Sequence, residues 1–231
     1  MNKKLSLIII GLLIVIGGIT AMSAFEAHVI NVTAHIENAL KVHPLTGELT
    51  FGTVFPQEYQ TRTISVTTSE SFCKPDQRRV LSIDYKIVQK PKCWNNNPAD
   101  PKYAPLDYAT EKCPKIGEVQ YVEMPSLCPF LSKTPKITDP SPYTDHGVLA
   151  FHDPKDPASV ATGTINKDED LSDDWIIDLP TPCFKGMCSQ DWDEFVHKYN
   201  PSANPDDYIL PANLEGKDFG CDLWVEVTNI Y

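Results

Sequence analysis

The stretch Leu81-Ser82-Ile83-Asp84-Tyr85-Lys86-Ile87 decides the fold class of this chain. Leu81, Ile83, Tyr85 and Ile87 alternate with Ser82, Asp84 and Lys86. Successive strand side chains point to opposite faces, so this alternation marks a strand with one apolar and one wet face. A helix would need apolar residues three and four apart. The same pattern recurs on both sides. Thr61 to Thr68 sets Ile64 and Val66 against Thr63, Ser65 and Thr67, and the chain closes with Cys221, Leu223, Val225 and Val227 against Asp222, Trp224 and Glu226. Nearer the start, Ile30, Val32, Ala34, Ile36 and Leu40 form one face, and Asn31, Thr33, His35 and Glu37 the other. Leu49 with Phe51, Val148 to Phe151 and Trp175 to Leu179 add shorter pieces. Short alternating strands at this spacing predict an all-β chain folded as an antiparallel β-sandwich.

Two regions depart from the pattern. Residues 91–146 hold ten of the 20 prolines and three of the seven cysteines. Proline removes a ladder donor, so this Pro/Cys-rich stretch is expected to be a loop-rich insertion at the edge of the sheets. Trp192, Phe195, Val196 and Tyr199 recur at i, i+3, i+4 and i+7, which predicts one short helix near the C-terminus. Ser189 is placed to cap it. Asp191, Asp193 and Glu194 lie in its first turns and His197 and Lys198 near its end, as the helix dipole favours. The expected architecture is therefore a sandwich of Ig-like or jelly-roll type with one insertion and one helix.

At the N-terminus Lys3 and Lys4 precede an apolar run from Leu5 to Met22, followed by Ala21-Met22-Ser23 at its end. A basic start, an apolar stretch and a small-x-small site describe an export signal over 1–23, leaving 24–231 as a single domain. The alternative is retention of 1–23 as an N-terminal anchor, in which case the membrane is met only through that leader. The expected location is secreted or cell-surface. The net charge of −11 opposes binding to nucleic acid phosphates and to anionic lipid. In an exported chain the seven cysteines read first as disulfides. Cys183 with Cys188 and Cys113 with Cys128 are the pairs close enough in sequence to propose, although spacing alone does not fix connectivity.

No catalytic constellation stands out, so no enzyme is expected. The six histidines, at 28, 35, 43, 146, 152 and 197, include no His-Glu-x-x-His pair, and there is no Gly-x-Ser-x-Gly elbow. Calcium is the better candidate ligand, because Asp168, Asp170, Asp173 and Asp174 crowd one segment and hard cations take six to eight oxygens. No other cofactor is expected.

The leader, the early strand, and Phe51-Gly52-Thr53-Val54-Phe55-Pro56-Gln57-Glu58 before an amphipathic strand together resemble the TasA/camelysin-like exported β-sandwich proteins. Thr20-Ala21-Met22-Ser23-Ala24-Phe25 is similar to that group's processing site, stretched by one residue. Gln57 stands where the family has glycine, and Thr67 where it often has asparagine. The likeness covers about residues 1–90. It implies a structural protein of the cell surface or extracellular matrix, with a homo-oligomer or filament built by donation of strand 28–40. On this view Ile30, Val32, Ala34, Ile36 and Leu40 are the donated face. The plain rival is that 28–40 is the first strand of its own sandwich. The alternative function is a monomeric extracellular ligand- or calcium-binding module.

Overall fold

The computed structural model describes residues 38–44, 47–72, 74, 79–107, 109–136, 146–169 and 171–231. The leader 1–23, the candidate strand residues Ile30, Val32, Ala34 and Ile36, the odd Cys73, and Asp170 lie outside the described residues.

The described chain is mostly β. Its long strands are β2 (Tyr59–Thr68), β3 (Ser82–Lys90), β11 (Ser172–Pro180) and β12 (Asp222–Ile230). Shorter ones are β1 (Leu40–His43) and β10 (Ala161–Asn166). The insertion contributes two-residue pieces: β4 (Cys93–Trp94), β5 (Tyr103–Ala104), β6 (Lys115–Ile116), β7 (Val119–Gln120), β8 (Val122–Glu123) and β9 (Thr134–Pro135). One helix, α1 (Trp192–Tyr199), precedes the last strand. Two main antiparallel sheets result, ordered β1-β2-β11-β9 and β10-β3-β12. Within the insertion β4 lies between β5 and β8, and β6 pairs with β7.

Register explains the core. Ile64 of β2 lies opposite Trp175 of β11, and Val66 opposite Asp173. In the second sheet Ile83, Tyr85 and Ile87 of β3 face Ile165, Gly163 and Ala161 of β10. Buried residues from both sheets join one apolar cluster: Ile64, Val66, Trp175, Ile177 and Leu179 from the first, and Tyr85, Ile87, Ala161 and Ile165 from the second. Each such large side chain stabilises the fold by about 1.5–3 kcal/mol through removal of apolar surface from water. Helix α1 adds Trp192 and Val196 to the same cluster through the 3.6-residue stripe read from the sequence.

The second sheet accommodates Tyr85 through Gly163. A Cβ at that position would sit 2.5 Å from the Tyr85 ring, so β10 must present no side chain there. The tyrosine hydroxyl thereby reaches across to the first sheet. It accepts a hydrogen bond from Trp175 Nε1 at 2.7 Å and donates one to Asp173 Oδ2 at 2.6 Å.

Several expectations need correction. Leu49 and Phe51 form no strand. Their segment is held instead by Arg62, whose Nε donates to the Thr50 carbonyl at 2.9 Å while its guanidinium lies 5.2 Å from the Phe51 ring centre. Val148 to Phe151 is not a strand either. Val148 makes one isolated bridge with Lys133, and Phe151 at φ 53° turns the chain out of extended geometry. Leu81 lies outside β3 and is largely exposed. Ser189 does not cap α1, because its hydroxyl bonds Gln57 and Asp191 instead. Strand β10 was not anticipated at all.

Candidate functional site

Three of the four candidate calcium ligands, Asp168, Asp173 and Asp174, lie among the described residues. Asp168 lies in the turn between β10 and β11, whereas Asp173 and Asp174 are neighbours within β11 and so project to opposite faces. Asp173 is buried against Tyr85. Asp174 faces the other way, accepting from the Ser65 hydroxyl and pairing with Lys136 Nζ at 3.6 Å. Asp173 and Asp174 thus face away from each other, and Asp170 lies outside the described residues. Among the described residues no group of three or more His, Cys, Asp or Glu side chains is placed to hold a metal.

The cysteines give three disulfides. Cys183–Cys188 closes a small loop just before α1. Cys113 bonds Cys93 and Cys128 bonds Cys221, so the pair Cys113–Cys128 is not formed. The reason is topological. Cys93 in β4 is fully buried in a small satellite cluster with Ala104, Leu106 and Tyr121, against which Cys113 packs. Cys128 sits where Leu127 N–H donates to the Gly220 carbonyl and Gly220 N–H to the Pro125 carbonyl. That short parallel contact delivers Cys221 to it. Stable structural disulfides belong to an oxidising compartment, so three of them put the described body there. Among the described residues no helix is long and apolar enough to cross a membrane.

Leu40, the last of the five candidate donor residues, opens β1 and pairs with Thr68 of β2 in its own chain. Strand β1 covers β2 only from Ser65 to Thr68. Alongside Tyr59 to Ile64 β2 has no ladder partner on that side among the described residues.

Two surface concavities flank the second sheet. One, of about 260 Å³, lies over its polar outer face between Asp84, His146, Thr162, Thr164 and Thr228. Asp84 is held there by the Thr164 hydroxyl at 2.8 Å and by Asn229 Nδ2 at 3.5 Å. The other, of about 430 Å³, is more apolar and is bordered by Ala39, Phe72, Val80 and Ile230. On the same outer face Lys90 Nζ lies 4.2 Å from the ring centre of Trp224.

The most perturbed groups are internal. Lys133, one residue before β9, is completely buried, and its Nζ has no hydrogen-bond partner. Burial pushes its pKa down from 10.5 to about 7. His152 is 8% exposed, and its Nε2 lies 2.8 Å from Oε1 of Gln89, an interior residue of β3. Burial first, and the charge of Lys133 second, push its pKa down to about 4. Its Nδ1 and the Gln89 Nε2 are buried without partners. Such groups gather where a structure does chemistry or stores strain. Lys133 escapes sequence reading because a lone lysine between Ser132 and Thr134 looks solvent-facing. Only its bridge to Val148 and the adjoining β9–β11 pairing turn it inward.

The chain matches no family model, no curated protein and no solved structure.

Proposed function

We propose that this chain is an exported structural protein of the cell surface or extracellular matrix, whose copies associate through sheet edges. The observation that carries this reading is the set of three disulfides. They staple the Pro-rich insertion to itself, the insertion to the last strand, and the loop before α1. A β-rich body braced in this way suits a location with an oxidising solvent. The resemblance to TasA/camelysin-like proteins and the leader-like start support export. The uncovered flank of β2 supports assembly, since main-chain pairing on an open edge gives affinity while alternate side chains give register. The donated element in this reading is 28–39 of a neighbouring copy, since Leu40 pairs within its own chain.

The test is electron microscopy and light scattering of the secreted protein over a range of concentrations, with and without residues 24–39. Fibres or concentration-dependent oligomers that vanish on deletion support the reading. Monomers at every concentration overturn it. They would favour instead a monomeric ligand-binding module using the concavity beside Asp84, whose polar rim suits a polyol or saccharide. A glycan array on the monomer distinguishes that second reading.

A further inference from the structure

Tyr59, the first residue of β2, and Tyr199, the last of α1, lie face to face. Their ring centres are 5.0 Å apart and their planes differ by 15°. The contact is at the surface, since Tyr59 is 46% exposed and Tyr199 half-buried. Tyr199 is braced by Phe195, whose ring meets it at 5.1 Å and 67°, and Phe195 packs against the main core. Tyr199 is thus the fixed ring and Tyr59 the one with room to slide. Two phenols held this close need no diffusion to meet, so any reaction between them is intramolecular. The covalent bracing of the body leaves this region out. All three disulfides lie between Cys93 and Cys221, and among the described residues none ends on β1, β2 or β3.

We propose that Tyr59 and Tyr199 are an oxidative cross-linking site, at which the two rings become joined as a dityrosine. The oxidant is hydrogen peroxide, acting through a haem peroxidase of the surroundings. Each phenol gives up one electron and its hydroxyl proton. One peroxide takes up both electrons and both protons and is reduced to two waters. The two phenoxyl radicals then couple through a Cε of each ring, the carbon beside the hydroxyl-bearing one. The hydrogen on each coupled carbon moves to that ring's oxygen, which restores both hydroxyls. One C–C bond has formed, and the pair has lost two hydrogen atoms. The stacked rings must slide edge to edge for this bond to form, and the exposure of Tyr59 permits it. The same exposure lets the oxidant reach the pair. The product would fasten β2 to the end of α1, bracing the part of the body that the disulfides do not reach. Such a bond suits the oxidising compartment in which those disulfides persist. It forms within one chain, and so is independent of whether copies associate.

Peptide mapping tests this. The full secreted protein is treated at low concentration with hydrogen peroxide and a haem peroxidase, then reduced and digested with trypsin. The expected product is a branched peptide joining residues 42–62 to residues 199–217, two hydrogen atoms lighter than the sum of its parts and carrying the blue fluorescence of a biphenol. Tyr59→Phe and Tyr199→Phe should each abolish it. Tyr208→Phe, which alters the other tyrosine of the second peptide, should leave it in place. Retention of all three disulfides in each variant shows that folding is intact. Oxidised wild-type protein in which Tyr59 occurs only in linear peptides, or is joined to a tyrosine other than Tyr199, overturns the proposal. So does a branch that persists in Tyr199→Phe, or one found only between two molecules.

Discussion

Removing the disulfides one pair at a time should rank them by the chain they enclose. The bonds span 93 residues for Cys128–Cys221, 20 for Cys93–Cys113 and 5 for Cys183–Cys188. Loop-closure entropy in the unfolded chain then assigns them about 4.7, about 3.3 and about 2 kcal/mol. The cost of truncation itself is similar in the three cases. Each bond joins one sulfur residue at most 2% exposed (Cys128, Cys93 or Cys183) to one half-buried partner. The ranking therefore comes from loop length, and the longest and shortest should differ by about a hundredfold in folding equilibrium. Paired Cys→Ala variants followed by urea unfolding provide the assay, with the midpoint and slope read together so that changes in the unfolded state are seen. Loss of Cys128–Cys221 should lower the melting temperature by roughly 10–20 °C for a domain of this size. If the Cys183/Cys188 variant proves as damaged as the Cys128/Cys221 variant, unfolded-chain entropy is not what these bonds contribute.

Gly163→Ala should destabilise by about 1–3 kcal/mol, because its new methyl would overlap the Tyr85 ring. Urea unfolding reads this, and Gly163→Ala in a Tyr85→Leu background should cost less. Tyr85→Phe should cost a similar amount by removing the hydroxyl that accepts from buried Trp175 and donates to buried Asp173, measured in the same way. His152 is held neutral in the folded state down to about pH 4, whereas an unfolded histidine takes its proton near 6.5. The unfolded chain therefore binds more protons in that window, and stability should fall as pH drops from about 6.5 to about 4, by on the order of 3 kcal/mol. Melting curves of His152→Gln should lack this step.

The parts legible in the sequence are those whose buried faces are uniformly large and apolar. The inner rows of β2, β3 and β11, and the helical stripe of α1, announce themselves by period alone. Strand β10 stayed hidden because Ala161 and Gly163 occupy its inner row, where the bulk is supplied by Tyr85 from the neighbouring strand. A pattern search sees the small residue and not the large one it makes room for. Asp173 misled for the converse reason. A carboxylate beside other acids looks like a solvated turn, yet it sits inside because a tyrosine hydroxyl from the other sheet meets it. The pairing of Cys128 with Cys221, and the burial of Lys133, depend on contacts between segments far apart in the chain, which local periodicity does not record.

The position of Cys221, immediately before the final strand, has a mechanical consequence. A pull applied at Tyr231 would unzip β12 from β3 one rung at a time, starting from the bonds that Tyr231 makes with Leu81 and Ser82. The tear would stop at the cystine. Only Asp222–Tyr231 would pay out, about 35 Å of slack at the usual rise per residue, before the load passed through sulfur into the insertion. A tether fixed at this terminus would thus have a short, self-limiting give, with the chain enclosed between Cys128 and Cys221 bypassed by the load.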